Sequence, residues 1–327
     1  MKTRRCRGRF RLRRSIFVLA LAVFALAAAA CDMPPKWVGP LLRAEIESST
    51  YRSRSKSLSA DIPYVENAGE LQRLDVYGVP GRTQAPVVVF IHGGYFQTGS
   101  RTDYAALAET LAPLGFVTVL IDYRLYPEAH YPAYFEDAAA ALNWIAAHIA
   151  EYGGDPSRII VSGHSAGASI AALLVVNDRF RRLLHFDLRQ VRGVALLSGA
   201  YDFGPGNLLD VNVLHAIMGS DANYDDAQPI HHVRADVPPL LIVNGDCDAL
   251  TSEVQAARFA RAMRTAGADV RYETIPGGDH ISVVLDMTPQ IKGRAYRAFA
   301  DFALAKTAPA APGGAAATPA IRHAAGW

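Results

Sequence analysis

The sequence contains little cysteine and has no large excess of charge of either sign. The three cysteines are Cys6, Cys31 and Cys247. A mature chain that begins at Cys31 would have two of them, Cys31 and Cys247, and we expect no disulfide between them because a core of this size does not need one. The formal net charge is only +2, and eight basic residues precede position 15. The remainder is mildly acidic, so we expect no nucleic-acid partner.

The sequence also lacks a hydrophobic run of transmembrane length near its basic start. The apolar stretch Ile16–Ala30 would span about 22 Å as a helix, which is short of the roughly 30 Å hydrocarbon core. A basic start, an apolar middle and a small-residue end are typical of an export signal, which we predict over residues 1–31. A signal-anchor that stays in the membrane is the alternative.

The end of this segment, Ala28-Ala29-Ala30-Cys31, resembles the cleavage box of bacterial lipoproteins. That resemblance implies a lipid anchor on Cys31, and in that group an Asp at the next position, here Asp32, is associated with inner-membrane retention. The first box position usually carries Leu rather than Ala28. We therefore expect an exported protein, either periplasmic or anchored to the inner membrane as a lipoprotein.

The rest of the chain divides into three parts. Residues 32–60 contain a Ser- and Arg-rich stretch and are predicted to form a tether or a loosely held flap. Residues 61–306 alternate between β-branched runs and amphipathic stretches. Residues 307–327 are rich in Ala, Pro and Gly and are predicted to be a disordered tail. No internal repeat is visible.

The middle part predicts a single doubly wound α/β domain. Its strand-like runs are continuously apolar, which indicates burial on both faces of a mostly parallel sheet. The predicted strands are Val87–Ile91, Phe116–Asp122, Ile159–Ser162, Val191–Ser198, Leu240–Asn244 and Val270–Ile275. The predicted helices are Asp103–Ala112, Phe135–Glu151, Ala166–Asn177, Ser252–Ala266 and Gln290–Ala305. Residues 201–237 interrupt this alternation, with a short helix near Val211–Met218, and are predicted to form a small cap over the site.

A candidate nucleophile lies in Gly163-His164-Ser165-Ala166-Gly167, which fits the pattern G-x-S-x-G. It follows a predicted strand and opens a predicted helix, and a turn this tight needs small residues two positions on either side of the serine. The turn places the Ser165 hydroxyl at a helix N-terminus, where negative charge is favoured. The alternative is a glycine-rich turn with a capping serine.

A second glycine motif, His92-Gly93-Gly94-Tyr95, follows the strand Val87–Ile91. Attack on an ester carbonyl creates an alkoxide, and preorganised backbone N–H groups stabilise it best. We expect these donors to be the amides of Gly93, Gly94 and Ala166. His92 could act as a base, but we favour a structural role in which its hydrogen bonds fix this loop.

The candidate base is His280, in a glycine-rich loop after the last predicted strand. Imidazole suits proton transfer because its pKa lies near operating pH. His231 and His232 are weaker candidates. The candidate acid is Asp248, in the loop after Leu240–Asn244, and Asp246 and Asp202 are its competitors. The chain order serine, acid, histidine is the order that hydrolases with this turn use.

Together these residues resemble the hormone-sensitive-lipase group of esterases, which have the α/β-hydrolase fold. The segment Asp122–Glu128 with Tyr131-Pro132-Ala133 resembles that group's connection between a core strand and the next helix, and its charges are expected to brace the oxyanion loop. The resemblance implies hydrolysis of a small-molecule carboxylic ester through an acyl-enzyme, without metal or organic cofactor. Carried over to this chain, it implies a triad of Ser165, Asp248 and His280.

Two departures from that group bear on the substrate and on the acid. Tyr95 stands where the group usually has a third glycine, and Tyr95-Phe96 is instead similar to the aromatic pair of the kynurenine formamidases. Ala249 stands where the group usually has proline after the acid. Tyr95, Phe96, Tyr201 and Phe203 are candidate pocket aromatics or plain core residues.

The sequence therefore predicts a serine hydrolase that cleaves carboxylic esters. An arylformamidase or other amidase using the same triad is the first alternative, although the export signal argues against it. A non-catalytic envelope binding protein on the same fold is the second, but no triad residue is missing here. Oligomeric state cannot be read from this sequence.

Overall fold

The computed structural model describes residues 50–53, 55–203 and 211–309. The β-branched and apolar runs form strands because such side chains pack well on a pleated surface. The strands in the described residues are β1 (Leu58–Pro63), β2 (Arg73–Tyr77), β3 (Ala85–Ile91), β4 (Val117–Ile121), β5 (Gly154–His164), β6 (Val191–Leu197), β7 (Leu240–Gly245) and β8 (Val270–Ile275).

These strands form one sheet with the order β1-β2-β4-β3-β5-β6-β7-β8. Strands β3 to β8 run parallel to one another. Strands β1 and β2 pair antiparallel at one edge. The predicted fold class, a doubly wound and mostly parallel α/β sheet, is confirmed.

The direction of winding changes at β3, which lies between β4 and β5. Ile91, the last residue of β3, pairs with Gly163 near the end of β5. Where the connections of neighbouring parallel strands leave in opposite directions, a crevice opens at their carboxyl ends. The loop after β3 and the turn after β5 meet at this crevice.

Helices cover both faces of the sheet. The described α-helices are α1 (Ala105–Leu111), α2 (Ala133–His148), α3 (Ala166–Val176), α4 (Asp178–Arg181), α5 (Val211–Met218), α6 (Asp221–Asp226), α7 (Glu253–Thr265), α8 (Ser282–Leu285) and α9 (Arg294–Thr307). Within these residues, none is both long enough and apolar enough to cross a bilayer.

The core lies on the two sides of the sheet, as the continuous apolar strands imply. Along β3, Val87 and Val89 join the cluster that contains side chains of α2, α3 and α7. Val88 and Phe90 join the cluster that contains side chains of α1 and α9. Successive side chains of a strand point to opposite faces, so both faces are buried only because helices cover each of them.

The described part of the predicted tether is bound to the domain. Arg52 Nε donates to Asp75 at 3.0 Å, and the Tyr51 ring stacks on Tyr77 with centroids 5.7 Å apart. Strand β1 begins at Leu58, so the predicted domain boundary at residue 61 falls inside a strand and is wrong. The physical reason is that an antiparallel edge strand is only half-buried and does not need an apolar sequence.

The C-terminal boundary also needs correction, because α9 includes Thr307, which is buried. The rest of the predicted tail from 310 onward, the export signal with Cys31, and residues 32–49 lie outside the described residues.

The predicted cap segment contains α5, which has the expected bounds, and α6. It contacts the start of α2, where the Tyr134 hydroxyl donates to the carbonyl oxygen of Ile217 at 3.1 Å. The Tyr131 hydroxyl donates to the Asp226 carboxylate. Residues 204–210 are outside the described part, so the predicted position of the whole segment over the site stays a prediction.

Candidate active site

Ser165 lies in a sharp turn between β5 and α3. Its backbone has φ 55° and ψ −122°, a conformation that L-residues rarely adopt. A Cβ on Gly163 would lie 2.5 Å from Gly167 backbone atoms, and a Cβ on Gly167 would lie 2.1 Å from the Ile91 carbonyl oxygen. Both glycines are therefore required, as the motif predicts, because Gly163 packs against the backbone of Gly167 and Gly167 packs against the end of β3.

His280 approaches this turn from the loop after β8. Its Nε2 lies 2.9 Å from Ser165 Oγ, across 115 positions of sequence. The histidine is 8% exposed. A hydroxyl that donates to a largely buried imidazole can lose its proton to that ring as the oxygen attacks a carbonyl carbon.

Asp248 lies on the far side of the same ring. The Nδ1–H of His280 donates to Asp248 Oδ2 at 2.9 Å, and the carboxylate is fully buried. Burial by itself would raise the pKa of Asp248, but the nearby His280 and hydrogen bonds from His280 and Thr251 outweigh burial and lower that pKa. An ionised carboxylate at this position stabilises the imidazolium that forms when His280 takes a proton.

The competing carboxylates have other partners. Asp246 Oδ1 accepts the Gly277 N–H at 2.6 Å and so holds the loop that precedes His280. Asp202 pairs with Arg258, on α7. The structure thus places Asp248, and neither of its competitors, against the imidazole.

Thr251 is a site residue that the sequence reasoning missed. Its amide donates to Asp248 Oδ1 at 2.9 Å, and its Oγ1 lies 2.9 Å from Asp248 Oδ2 and 3.1 Å from His280 Nδ1. The residue is 1% exposed. A threonine three positions after the acid can cap the carboxylate in this way, but its burial and its contacts are visible only in the structure.

The other candidate histidines contact different groups. His231 Nδ1 lies 2.9 Å from the carbonyl oxygen of Asp225, and His232 Nε2 lies 2.9 Å from that of Asp226. Both interactions lie within the segment after β6. Neither ring is brought to Ser165.

The loop after β3 has an unusual backbone. Gly94, Tyr95 and Phe96 have φ values of 124°, 58° and 60°. A Cβ on Gly94 would lie 2.1 Å from the Thr98 carbonyl oxygen, so only glycine fits there. Phe96 is buried and packs against Tyr134 with ring centroids 5.1 Å apart. A side chain anchored in the core holds this strained loop in place.

The structure contradicts one of the predicted oxyanion donors. The single amide hydrogen of Gly93 is donated to the Tyr104 hydroxyl at 3.2 Å, so it is not available to a substrate. The glycine has a packing role instead, because a Cβ there would lie 3.1 Å from Ser165 Cβ. Gly94 and Ala166, the other two predicted donors, lie in the oxyanion loop and at the first position of α3, where the helix leaves its amide unpaired.

His92 has the structural environment that the sequence favoured. It is 1% exposed, its Nδ1 lies 2.7 Å from the Gly93 carbonyl oxygen, and its ring stacks on Tyr123 with centroids 4.3 Å apart. Burial lowers the pKa of His92, which keeps the ring neutral. The buried His92 ring therefore stabilises the oxyanion loop through its contacts with Gly93 and Tyr123.

The segment after β4 braces the same loop, as predicted. Tyr123 donates its hydroxyl to the His92 carbonyl oxygen at 3.1 Å, and the Tyr126 amide donates to that of Phe96 at 2.8 Å. The Asp122 carboxylate accepts from the backbone and the guanidinium of Arg101, which follows the loop. These contacts do not include Ser165, so the segment supports the site without taking part in chemistry.

Two of the other candidate aromatics, Tyr201 and Phe203, are core residues, whereas Tyr95 is only partly buried and packs against the core. Tyr201 stacks on Phe259 with centroids 4.8 Å apart, and Phe203 packs against Tyr224 at 5.5 Å. Both are buried. Among the described residues, no cluster of His, Cys, Asp and Glu has an arrangement that could hold a metal ion.

The chain is similar in sequence to curated enzymes. The chain is 33% identical to a probable carboxylic ester hydrolase, LipM, of Mycobacterium tuberculosis over 69% of its own length and 57% of that relative. It therefore spans little more than half of this curated relative. It is 26% identical to the kynurenine formamidase of Danio rerio, over 77% of the chain and 87% of that enzyme.

Solved structures show the same architecture. The carboxylesterase EstE1, from a metagenomic library, superimposes with a TM-score of 0.67 at 24% identity, covering 84% of this chain and 98% of that one. A family model described as the alpha/beta hydrolase fold matches residues 88–284, which is more than half of the sequence and includes all three members of the Ser165 constellation. The chain therefore belongs to the family of proteins with the α/β-hydrolase fold.

Proposed function

We propose that this protein is a serine hydrolase that cleaves small-molecule carboxylic esters through an acyl-enzyme. The observation that carries the proposal is the continuous contact from Ser165 Oγ through His280 to Asp248, with 2.9 Å at each step. The esterase names of the relatives support the choice of ester chemistry.

In the first half-reaction, Ser165 Oγ attacks the ester carbonyl while His280 Nε2 takes its proton. The carbonyl oxygen becomes an alkoxide, which the amides of Gly94 and Ala166 stabilise. His280 then gives its proton to the departing alcohol, leaving the acyl group on Ser165.

In the second half-reaction, His280 removes a proton from water, which attacks the acyl-enzyme. The tetrahedral intermediate collapses, Ser165 regains its proton from His280, and the carboxylic acid leaves. Asp248 stays ionised throughout and stabilises the imidazolium at each stage.

The test is the Ser165→Ala variant assayed with p-nitrophenyl butyrate beside Ser157→Ala, which alters an exposed serine at the start of β5. We expect kcat to fall at least about 10⁴-fold for Ser165→Ala and to change less than about twofold for Ser157→Ala. A fluorophosphonate should label the wild type and not Ser165→Ala. Undiminished hydrolysis by Ser165→Ala would contradict the proposal, and an unlabelled, inactive wild type would favour a non-catalytic binding protein.

A formamide substrate is the second candidate. It is favoured by the aromatic pair Tyr95-Phe96 and by the kynurenine formamidase relative, most of whose length the chain covers. Turnover of N-formylkynurenine at a kcat/KM equal to or above that of the aryl esters would support it. A kcat/KM lower by about 10²-fold or more would leave the ester as the substrate.

We further propose that the chain is exported, from the basic and apolar pattern of residues 1–31, and that Cys31 carries the lipid anchor. Fractionation of cells that produce the full chain and a Cys31→Ser variant tests both parts. Membrane association of the full chain and its loss in the variant are expected. Cytoplasmic recovery of both would contradict export.

A further inference from the structure

One buried histidine next to the nucleophile has no role in the reaction described above. His164 is the last residue of β5 and is 4% exposed. Both of its ring nitrogens make hydrogen bonds. Nδ1 lies 3.2 Å from the Tyr104 hydroxyl, and Nε2 lies 2.9 Å from the His280 carbonyl oxygen.

Only one placement of hydrogens satisfies all of these contacts. A carbonyl oxygen can only accept, so His164 Nε2 must carry the proton that is donated to His280. The Tyr104 oxygen already accepts the Gly93 N–H at 3.2 Å, and its own hydrogen is then donated to His164 Nδ1. The result is a chain of three bonds, all donating in one direction, from Gly93 through Tyr104 and His164 to His280.

The electrostatic environment agrees with a neutral ring. Burial, and next the adjacent His280, lower the pKa of His164 to about 3. A protonated ring would need an acceptor at Nδ1, where the Tyr104 hydroxyl would have to turn its hydrogen elsewhere.

The chain of hydrogen bonds joins three segments, and direct strand pairing holds only two of them against each other. Gly93 belongs to the oxyanion loop after β3, and His164 leads into the nucleophile turn after β5. His280 follows β8, which is separated from β5 by β6 and β7. Strand pairing therefore fixes the first two segments against each other. The connection from these segments to the His280 backbone is made by the side chain of His164.

We infer that Tyr104 and His164 are positioning residues that hold the oxyanion loop, the nucleophile turn and the His280 backbone in one arrangement. The inference rests on the proposed hydrolase function. Neither side chain contacts the reacting atoms; each acts through the residue it binds.

We expect an effect on kcat and not on KM, because the relative positions of the oxyanion loop, Ser165 and His280 matter most when charge develops at the reacting carbonyl in the transition state. Displacements of about 1 Å at such sites can cost about 10²-fold in rate. We expect Tyr104→Phe and His164→Phe each to lower kcat about 10- to 100-fold, with KM changed less than about twofold. We expect the double variant to lose no more than the more impaired single variant, because either change breaks the same chain.

The rate of each variant is measured with p-nitrophenyl butyrate and divided by the fraction of molecules that a fluorophosphonate labels, so that misfolded protein does not count. His164→Gln is the rescue variant, because its amide offers one acceptor and one donor, and it should recover most of the lost kcat. Tyr64→Phe is the matched control, since it removes a buried tyrosine hydroxyl that donates to the Asp122 carbonyl oxygen at 3.0 Å. Its kcat per labelled site should stay within about twofold.

A second measurement does not depend on the variants folding. In wild-type protein with ¹⁵N-labelled histidine, NMR should show His164 as the neutral form with its proton on Nε2 at pH 7. A proton on Nδ1, or a charged ring, would overturn the inference.

The kinetic outcomes separate the two levels of the claim. Active wild type with kcat per site unchanged in both Tyr104→Phe and His164→Phe would overturn the inference alone. So would losses that simply add in the double variant, or equal losses in Tyr64→Phe. A wild type that neither hydrolyses esters nor reacts with the fluorophosphonate would overturn the proposed function itself.

Discussion

At the residue scale, the partners of two nearby carboxylates, Asp248 and Asp246, determine what each of them can do. Asp248 is fully buried and receives hydrogen bonds from His280 and Thr251, so it stays charged and stationary. Asp246, two positions earlier, is exposed and holds a backbone amide. Chemically identical side chains two residues apart are thereby assigned different tasks.

The first prediction compares these two carboxylates. Asp248→Asn should lower kcat about 10³- to 10⁴-fold, because the amide cannot stabilise the imidazolium and favours the wrong tautomer of His280. Asp246→Asn should lower it less than about 10-fold. Steady-state assays with p-nitrophenyl butyrate decide between them, and a larger loss for Asp246→Asn would reverse the assignment of the acid.

The second prediction concerns pH and stability. Because the folded-state pKa of His164 is about 3 and an unfolded histidine titrates near 6.5, the unfolded chain binds more protons between these values. The contribution of His164 to the free energy of unfolding is therefore greatest above pH 6.5 and is lost as the pH is lowered toward 3. This one residue should account for about 2 kcal/mol of the loss between pH 7 and pH 5.

Urea denaturation of wild type and His164→Gln at pH 7, 6 and 5 measures that contribution. The variant should lose about 2 kcal/mol less than the wild type over this range. His148→Gln, which changes a partly exposed histidine at the end of α2, is the control and should follow the wild type. Parallel curves for wild type and His164→Gln would show that folding does not change proton binding by this ring, which would contradict the lowered pKa of His164.

Much of the site could be predicted at this scale, and the exceptions have physical causes. Ser165 and His280 lie in glycine-rich turns at the ends of apolar strands, and such turns are visible in sequence. No comparable sequence pattern identifies Thr251 or Tyr104. The role of Tyr104 comes from hydrogen bonds to residues distant in sequence, and the role of Thr251 comes from hydrogen bonds to the carboxylate of Asp248. The Gly93 prediction failed for the same reason, since the acceptor of its amide is a side chain eleven positions away.

At the scale of the elements, the turn between β5 and α3 packs closely against β3 and against the loop that follows β3. It touches β3 through Gly167, and the adjoining loop touches it through Gly93. The neighbouring strands β3 and β5 therefore fix the positions of the oxyanion loop and the nucleophile turn. Because the loop and the turn are in contact, a shift of one requires a shift of the other.

The third prediction tests that constraint. Gly167→Ala should destabilise the protein by about 3 kcal/mol, because the new Cβ would lie 2.1 Å from the Ile91 carbonyl oxygen and β3 cannot yield. Gly78→Ala is the control, since its Cβ would meet no atom closer than 3.6 Å and should change stability by less than about 0.5 kcal/mol. Chemical denaturation gives both values, and equal stability of the two variants would contradict the geometry.

The parallel strands could be predicted because burial on both faces requires continuous apolar runs. Strands β1 and β2 could not, because both combine apolar with charged residues, although only β1 lies at the edge of the sheet and β2 is buried between β1 and β4. Asp75, in β2, is fully buried only because Arg52 and Arg101 pair with it. A carboxylate in a strand is unfavourable in a core unless distant residues neutralise it, and the sequence does not show that pairing.

At the scale of the whole molecule, the last helix closes one face of the sheet. Phe299 and Phe302 of α9 are buried in the cluster that covers that face. Phe302 lies so close to β6 that a Cβ on Gly193 would approach its ring to 2.6 Å. The helix is therefore part of the core, although it is the last element described.

The fourth prediction follows from this packing. A chain that ends at residue 309 should unfold within about 2 °C of the full chain, because it keeps all of α9. A chain that ends at residue 293 lacks α9 and should fail to fold, because the apolar face that α9 covers would be exposed to water. Circular dichroism melting of both proteins checks this, and a cooperative transition in the shorter chain would contradict it.

The wide separation of the triad along the chain has a consequence for the timing of activity. The hydroxyl at position 165 and the imidazole at position 280 are 115 residues apart, and the imidazole follows β8, which lies at an edge of the sheet and pairs with β7. A polypeptide synthesised only as far as residue 279 has the Ser165 hydroxyl but lacks the imidazole that activates it. The ester cleavage proposed above therefore requires that β8 has joined the sheet.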